Sequence, residues 1–300
     1  MNESDWIQRY IAPLVTAPGA VGLTDDVAML SGSGTLIATM DTLVEGVHFL
    51  ASDSLRTVGR KLVRVNVSDI IAKGAEPVEA LLSIAWPKGR SEGAFVQFIE
   101  GLAHDLKTYK ISLIGGDLVR TDGPLTVTLT LTGQCLRGEP VRRSGGQAGQ
   151  SLWISDEIGW GGAGLKAAKS GQDERVANRY RVPKIGNQDT SRTIAGVAHA
   201  SLDVSDGLFI DVMRLASASG CGALIELETV PLAEPTDHLE AIFEQCTAGD
   251  DYCVLMSAPE NIAVPGFKCI GKLTESLDLT LTLQGRSVNP PSILGFEHSL

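Results

Sequence analysis

The chain has little with which to cross-link itself, enter a membrane or hold nucleic acid. Its five cysteines (Cys135, Cys221, Cys246, Cys253 and Cys269) are odd in number and form no CxxC pair. That argues against a disulfide framework or a structural zinc, and favours a reducing compartment. No apolar run approaches the roughly 20 residues that span a bilayer. The first residues, "MNESDWIQRY", carry acids where a secretory signal has a basic segment followed by an apolar one. Lysines and arginines total 25 against 36 aspartates and glutamates, a formal charge of −11. Such a balance suits neither phosphate neutralisation along a nucleic acid nor docking on an anionic membrane. What is there is globular: 43% of residues are apolar and 20% charged. A length of 300 residues exceeds what one core usually serves, so a cytoplasmic, two-domain protein is expected.

Hydrophobic spacing divides the chain into two α+β units, residues 1–137 and 148–300, joined through "RGEPVRRSGGQAGQ" (137–150). In the first, Trp6, Ile7, Tyr10, Ile11 and Leu14 share a helical face behind a Ser4 cap. "TLIATMDTLV" then reads as a strand. Residues 54–73 read as a helix, with Leu55, Val58, Leu62 and Val65 in register and Gly74 as its stop. A strand ("EALLSIAWP"), a helix ("SEGAFVQFIEGLAHDLKTY") and two strands ("ISLIGGD" and "PLTVTLTLTGQC") complete the unit. The pattern restarts with "SLWIS", helices near 162–170 and 189–200, and "SLDVSDGLFID". A helix ending at Gly220 and strands near 223–228, 252–257, 267–271 and 278–283 follow.

Two glycine motifs imitate nucleotide sites. "GWGGAG" (159–164) matches GxGxxG after a strand, but no acid ends a second strand about 20 residues on, so a glycine turn feeding a helix is the better reading. "GFKCIGKL" (266–273) nearly spells a P-loop, yet Leu273 stands where the magnesium-binding Ser or Thr is required, and "FKCI" looks like a strand.

The acids are more informative. Asp41, Asp117, Asp203 and Asp206 lie at or near strand ends, and Asp25 and Asp26 precede an apolar run. Each taken singly could be an ordinary turn residue. Asp69 resists that reading: it follows Leu62 by seven residues and Val65 by four, on the inward face of its helix. A carboxylate in an apolar stripe must be paired, hydrogen-bonded or bound to metal. Lys61 and Arg64 are close in sequence to Asp69, but no basic cluster accompanies the other acids. Two like charges about 4 Å apart repel by roughly 4 kcal/mol at an effective dielectric of 20. Converging carboxylates therefore call for divalent cations, and all-oxygen ligands favour Mg²⁺ or Mn²⁺ over zinc. Because Mg²⁺ takes only one or two carboxylates and fills its shell with water and phosphates, scattered aspartates point to several ions along a polyphosphate.

"TDDVAML", "MDTLVEGVHF", "KLVRVNVSDIIAKGAEP", "IGGD", "RRSG", "LDVSDGL" and "AGDDYCVL", in that order and spacing, resemble the thiamine-monophosphate kinase family. That family belongs to the superfamily named for aminoimidazole ribonucleotide synthetase. The likeness runs from about residue 3 to the C-terminal "GFEH". It implies a two-domain α+β subunit that pairs through its N-terminal domains as a homodimer, with strands joined in a barrel, and the two-faced alternation of "PLTVTLTLTG" suits such pairing. It also implies ATP and magnesium in a cleft between the domains. By position, Asp26, Thr39, the backbone of Met40, Asp41, Asp69, Asp117, Asp203 and Asp206 match metal ligands, with Asp41, Asp69 and Asp117 central to catalysis. Tyr109, Gly116, Arg143 and Ser205 match nucleotide contacts, and His48, Asp250 and Phe296 match contacts to thiamine monophosphate.

Three departures stand out. Thr24 replaces a glycine before Asp25 and Asp26, and Gln150 replaces an aspartate after the Arg-Ser-Gly motif. Asp250 replaces a glutamate, which leaves open whether Asp250 or its neighbour Asp251 meets the pyrimidine. The reaction implied is transfer of the ATP γ-phosphoryl group to the phosphate of thiamine monophosphate, yielding thiamine diphosphate. The alternatives are a sister ATP-dependent activity of the superfamily or an inactive metal- and nucleotide-binding homologue. Selenophosphate synthesis is disfavoured by the absence of cysteine near the N-terminal motif.

Overall fold

The computed structural model describes the backbone of residues 28–30 and the whole of residues 35–297. The helix expected at Trp6–Leu14 and the acids Asp25 and Asp26 lie outside the described residues. Five strands form the first sheet: β1 (Ala28–Leu30), β2 (Leu36–Val44), β3 (Ala75–Pro87), β4 (Ser112–Thr121) and β5 (Thr126–Cys135). Their order is β1-β2-β5-β3-β4, antiparallel except for the parallel pair β3–β4.

Helices α1 (Leu55–Ala72) and α2 (Glu92–Thr108) cover one face of this sheet. They meet closely because Gly59 and Gly101 carry no side chains: a Cβ on Gly101 would strike the carbonyl oxygen of Arg56, and one on Gly59 that of Phe98. Val127, Leu129 and Leu131 of β5 point into the core, while the alternating threonines are half-buried on the opposite face. The same period of two sends Ile37 and Leu43 of β2 into the core and carries Thr39 and Asp41 to the α1 side, while Met40, 64% exposed, faces away.

The second sheet has the order β12-β11-β8-β10-β6-β9-β7. Its strands are β6 (Ser151–Ile154), β7 (Ala200–Val204), β8 (Gly222–Glu226), β9 (Cys253–Ala258), β10 (Lys268–Thr274), β11 (Leu279–Leu283) and β12 (Arg286–Val288). The helices are α3 (Trp160–Ser170), α4 (Glu174–Arg181), α5 (Gln188–Val197), α6 (Leu208–Ala218) and α7 (Leu239–Thr247). Sequence periodicity did not reveal α4: its composition, "ERVANRYR", is polar on nearly every face, with only Ala177 and Tyr180 buried. The near P-loop "GFKCIGKL" lies mostly on β10, paired on both sides and bulged between Cys269 and Gly271, and offers no phosphate cradle.

The two halves are joined along α1. Val254, Met256 and Ile194 of the second half pack into the first core. Lys73 at the end of α1 donates to the Ser201 carbonyl at 2.8 Å, and the Ser201 hydroxyl donates to that of Ala72. Gln150, buried between β6 and β9, accepts from Ser257 and meets His199, away from the acidic cavity described below.

β5 lies between β2 and β3 with both backbone edges occupied, so it offers another chain a face and no edge. The open edge is β4, whose residues 112–120 are all exposed, including Leu113, Ile114, Leu118 and Val119.

Candidate active site

A cavity of about 680 Å³ opens between the two halves. Eleven of the expected site residues line it: Thr39, Met40, Asp41, His48, Asp69, Arg143, Asp203, Ser205, Asp206, Asp250 and Phe296. Four elements present the acids: the middle of β2 supplies Asp41 beside Thr39, α1 supplies Asp69, the end of β7 and its turn into α6 supply Asp203 and Asp206, and the loop before β9 supplies Asp250.

Short hydrogen bonds fix this acidic group. The Thr39 hydroxyl donates to Asp69. Asn66, fully buried one turn before Asp69, donates to the Leu62 carbonyl and accepts from the Asp41 amide at 3.1 Å, so it clamps β2 at Asp41. Ser68 donates to Asp203 at 2.7 Å. Burial, with Asp206 adding repulsion, pushes Asp41 up to about 6. Burial likewise raises Asp203 to about 6, offset in part by the Ser68 bond, and drives Asp69 well above the carboxylate range, with Asp203 and Asp41 contributing.

Cations do approach some of the acids, contrary to the sequence reading. Arg214, eight residues beyond Asp206 on α6, pairs with Asp206 and with Asp211 at 2.8 Å. Lys61 pairs with Asp250 at 2.9 Å. Lys73 lowers the proton affinity of Asp69 and Asp203, though desolvation outweighs it. None of these was legible as a basic cluster because each comes from a different turn of helix.

Tyr109, Gly116 and Asp117 do not join the cavity. Gly116 and Asp117 lie on β4, and two strands separate β4 from β2. At about 4.8 Å per strand, that places Asp117 roughly 14 Å from the strand of Asp41. Tyr109 ends α2, beneath the guanidinium of Arg64. Asp26 lies outside the described residues.

At the other end of the cavity the backbone separates the two candidate acids. Asp251 is buried, accepting from the Gly159 amide at 2.9 Å and the Gly161 amide at 3.0 Å; burial nevertheless pushes it up to about 7. Asp250 faces the cavity, its carboxylate held by Lys61 and by the Tyr252 hydroxyl at 2.8 Å. The first decoy is thereby explained: the glycine turn at the start of α3 receives the protein's own carboxylate where a dinucleotide motif would receive pyrophosphate. A Cβ on Gly161 would collide with the Gly249 carbonyl.

His48 Nδ1 accepts from the Val44 amide at 3.1 Å, which leaves Nε2 to carry the proton of the neutral ring. The Phe296 amide donates to the Asp206 carbonyl at 2.8 Å, so the tail lies across the Asp206 turn and sets a half-exposed ring at the cavity.

Among the described residues, no group of three His, Cys, Asp or Glu side chains converges to hold one ion. Magnesium does not demand such a group, since it takes one or two carboxylates and completes its shell with water and phosphate. The oxygen-only set of Asp41, Asp69, Asp203 and Asp206 around an open cavity fits that requirement. Lys61, Asn66, Ser68, Tyr180, Tyr252 and Arg214 were not singled out as site residues from sequence. Lys61 had a signal: with Val65 and Asp69 it follows a four-residue spacing along one ridge of α1.

The fold and its acidic cleft have the architecture of the AIR synthase related proteins. The model of their N-terminal domain matches residues 24–135, and that of their C-terminal domain residues 147–263. The chain belongs to the thiamine-monophosphate kinase family. It is 38% identical to the thiamine-monophosphate kinase of Caulobacter vibrioides, over 99% of this chain and 91% of that one. Identity to the Haemophilus influenzae thiamine-monophosphate kinase is 30%, over 99% and 98%. Among solved structures, AaThiL complexed with AMPPCP and TMP superposes with a TM-score of 0.86 at 28% identity, covering 99% of this chain and 97% of that one.

Proposed function

We propose that the protein transfers the γ-phosphoryl group of ATP to the phosphate of thiamine monophosphate, forming thiamine diphosphate and ADP. The observation that carries this reading is one cavity with two chemically distinct ends. Desolvated oxygen ligands lie at one end, with Phe296 beside the Asp206 turn, and His48 and Asp250 gather around Lys61 at the other. The acceptor phosphate is ionised near neutral pH, so the chain needs no general base. Its work is to position two anions in line.

Asp41, Asp69, Asp203 and Asp206, with Thr39, Met40 and Asp26, would hold magnesium ions. Bound there, magnesium supplies neutralisation of the phosphate charges. Asn66 and Ser68 keep the carboxylates in place before substrate arrives. Arg143 and Ser205 contact the nucleotide, and His48, Asp250 and Phe296 hold the thiamine portion. ADP release measured with thiamine monophosphate, with thiamine and with no acceptor tests the reading. Release with thiamine monophosphate alone, abolished by EDTA, is expected; release independent of acceptor would refute it.

The remaining assignments follow the same reading. Residues 1–137 and 148–300 form the two domains, each built around its own sheet. The five cysteines are free thiols, and no helix among the described residues is long and apolar enough to cross a membrane; both suit a cytoplasmic enzyme. The subunit works as a homodimer paired through β4, because Leu113, Ile114, Leu118 and Val119 expose an apolar strand edge that proteins ordinarily cover. Tyr109, Gly116 and Asp117 reach the nucleotide and its metal from that edge of the second copy. Light scattering is expected to give a dimer mass at micromolar concentration and a monomer for Leu118→Asp. A monomeric wild type would refute the pairing.

A further inference from the structure

Helix α1 buries a lysine that its hydrophobic core does not need. Lys61 is 1% exposed, between Val58 and Leu62 on a helix face that is mostly aliphatic, with Asn66 and Ser68 as its other buried polar side chains. An ammonium is costly to bury without partners, and an apolar residue of similar size commonly serves packing at least as well. Its partners come from three separate segments. Nζ donates to Asp250 Oδ2 at 2.9 Å and to the His48 carbonyl at 3.1 Å, and lies 4.1 Å from the centre of the Tyr180 ring. The Tyr180 hydroxyl donates to the same His48 carbonyl at 3.3 Å.

We propose that Lys61 is a positioning residue for substrate, fixing Asp250 and the His48 loop as the two walls that grip the thiamine heterocycle. The inference rests on the function proposed above and assigns a role within that site. Lys61 and Tyr252 each occupy one oxygen of the Asp250 carboxylate. Each oxygen has a second lone pair for a donor on the ligand. The carboxylate is thus presented as an oriented anionic acceptor, matched to an amino-bearing, positively charged heterocycle. Because Lys61 lines up with Val65 and Asp69 on the same ridge of α1, one rigid helix sets both the metal end and the heterocycle end of the cavity. The Lys61 ammonium bonds Asp250 and the His48 carbonyl and none of Asp41, Asp69, Asp203 or Asp206.

Steady-state kinetics of Lys61→Met, Asp250→Asn and the double variant test this. Loss of a charge-assisted contact predicts that Lys61→Met raises KM for thiamine monophosphate about tenfold or more. The kcat at saturation and KM for ATP should change less than about twofold, since uniform binding alone is lost. Added to Asp250→Asn, Lys61→Met should raise KM by less than it does alone, since only its hold on the His48 carbonyl is then left to lose. Equal losses in kcat and both KM values, or effects that multiply in the double variant, would make Lys61 a structural residue and overturn the proposal. Should Lys61→Met fail to fold, Lys61→Gln keeps a donor without the charge and must still raise KM selectively; an unchanged KM there also overturns it. A wild type inactive on thiamine monophosphate refutes the function itself, a result distinct from either.

Discussion

Asp69→Asn is expected to cost about 10²- to 10³-fold in kcat/KM, as removal of a group that organises transition-state charge typically does, while making the metal-free protein more stable at pH 8. The sign of the second effect follows from the burial of the acids. Asp69 is held well above the carboxylate range, and Asp41 and Asp203 are raised to about 6. A carboxyl group whose folded pKa exceeds its unfolded value makes the folded state the better proton binder. Stability is then lost as pH rises from about 4, and for Asp41 and Asp203 the loss is complete above about 6. Asparagine removes one of these charges, so thermal melting in EDTA at pH 8 should rise by a few degrees. Magnesium should raise the wild-type melting temperature more than that of the variant. Near-normal turnover at limiting magnesium, or a lower melting temperature in EDTA, would contradict the role given to Asp69.

The second large effect separates two adjacent aspartates. Asp251→Ala orphans the buried amides of Gly159 and Gly161. At about 1–3 kcal/mol for each unsatisfied group, the loss of stability should be roughly 2–6 kcal/mol. Asp251→Asn, which keeps one acceptor, should lose less. Asp250→Ala strands the buried Lys61 ammonium and so also costs stability, but it alone should act on substrate: kcat/KM for thiamine monophosphate lower by about 5- to 150-fold, with ATP binding nearly unchanged. Denaturant unfolding beside steady-state kinetics decides between them. A binding defect confined to Asp251→Ala would reverse the assignment.

Much of this was legible in the chain because helix and strand periods are strict. Spacing from Leu62 and Val65 put Asp69 on the inward face of α1, and a strand ending located Asp203 and Asp206. Asp41, expected at a strand end, instead lies within β2, which pairs on to Val44. The residues that hold these groups were harder to see. Arg214 reaches Asp206 only because the turn at Gly207 folds α6 back toward it, and Lys61 meets Asp250 across 189 positions of sequence. Spacing along one element cannot report such pairs. The placement of β4 was also hidden: Asp117 ends a run that looks like any other strand, and only the order β2-β5-β3-β4 moves it from the cavity to the sheet edge. Asp250 and Asp251 could not be told apart by type. The left-handed backbone at Asp250 and the close approach at Gly161 separate them.

The central claim is direct transfer between two phosphates in one cavity, and following the label from [γ-³²P]ATP tests it most directly. With magnesium and thiamine monophosphate, the account predicts that the label appears in the terminal phosphate of thiamine diphosphate, with none retained on the protein after denaturation. Label recovered as inorganic phosphate or fixed covalently to the chain, with no labelled thiamine diphosphate, would contradict it.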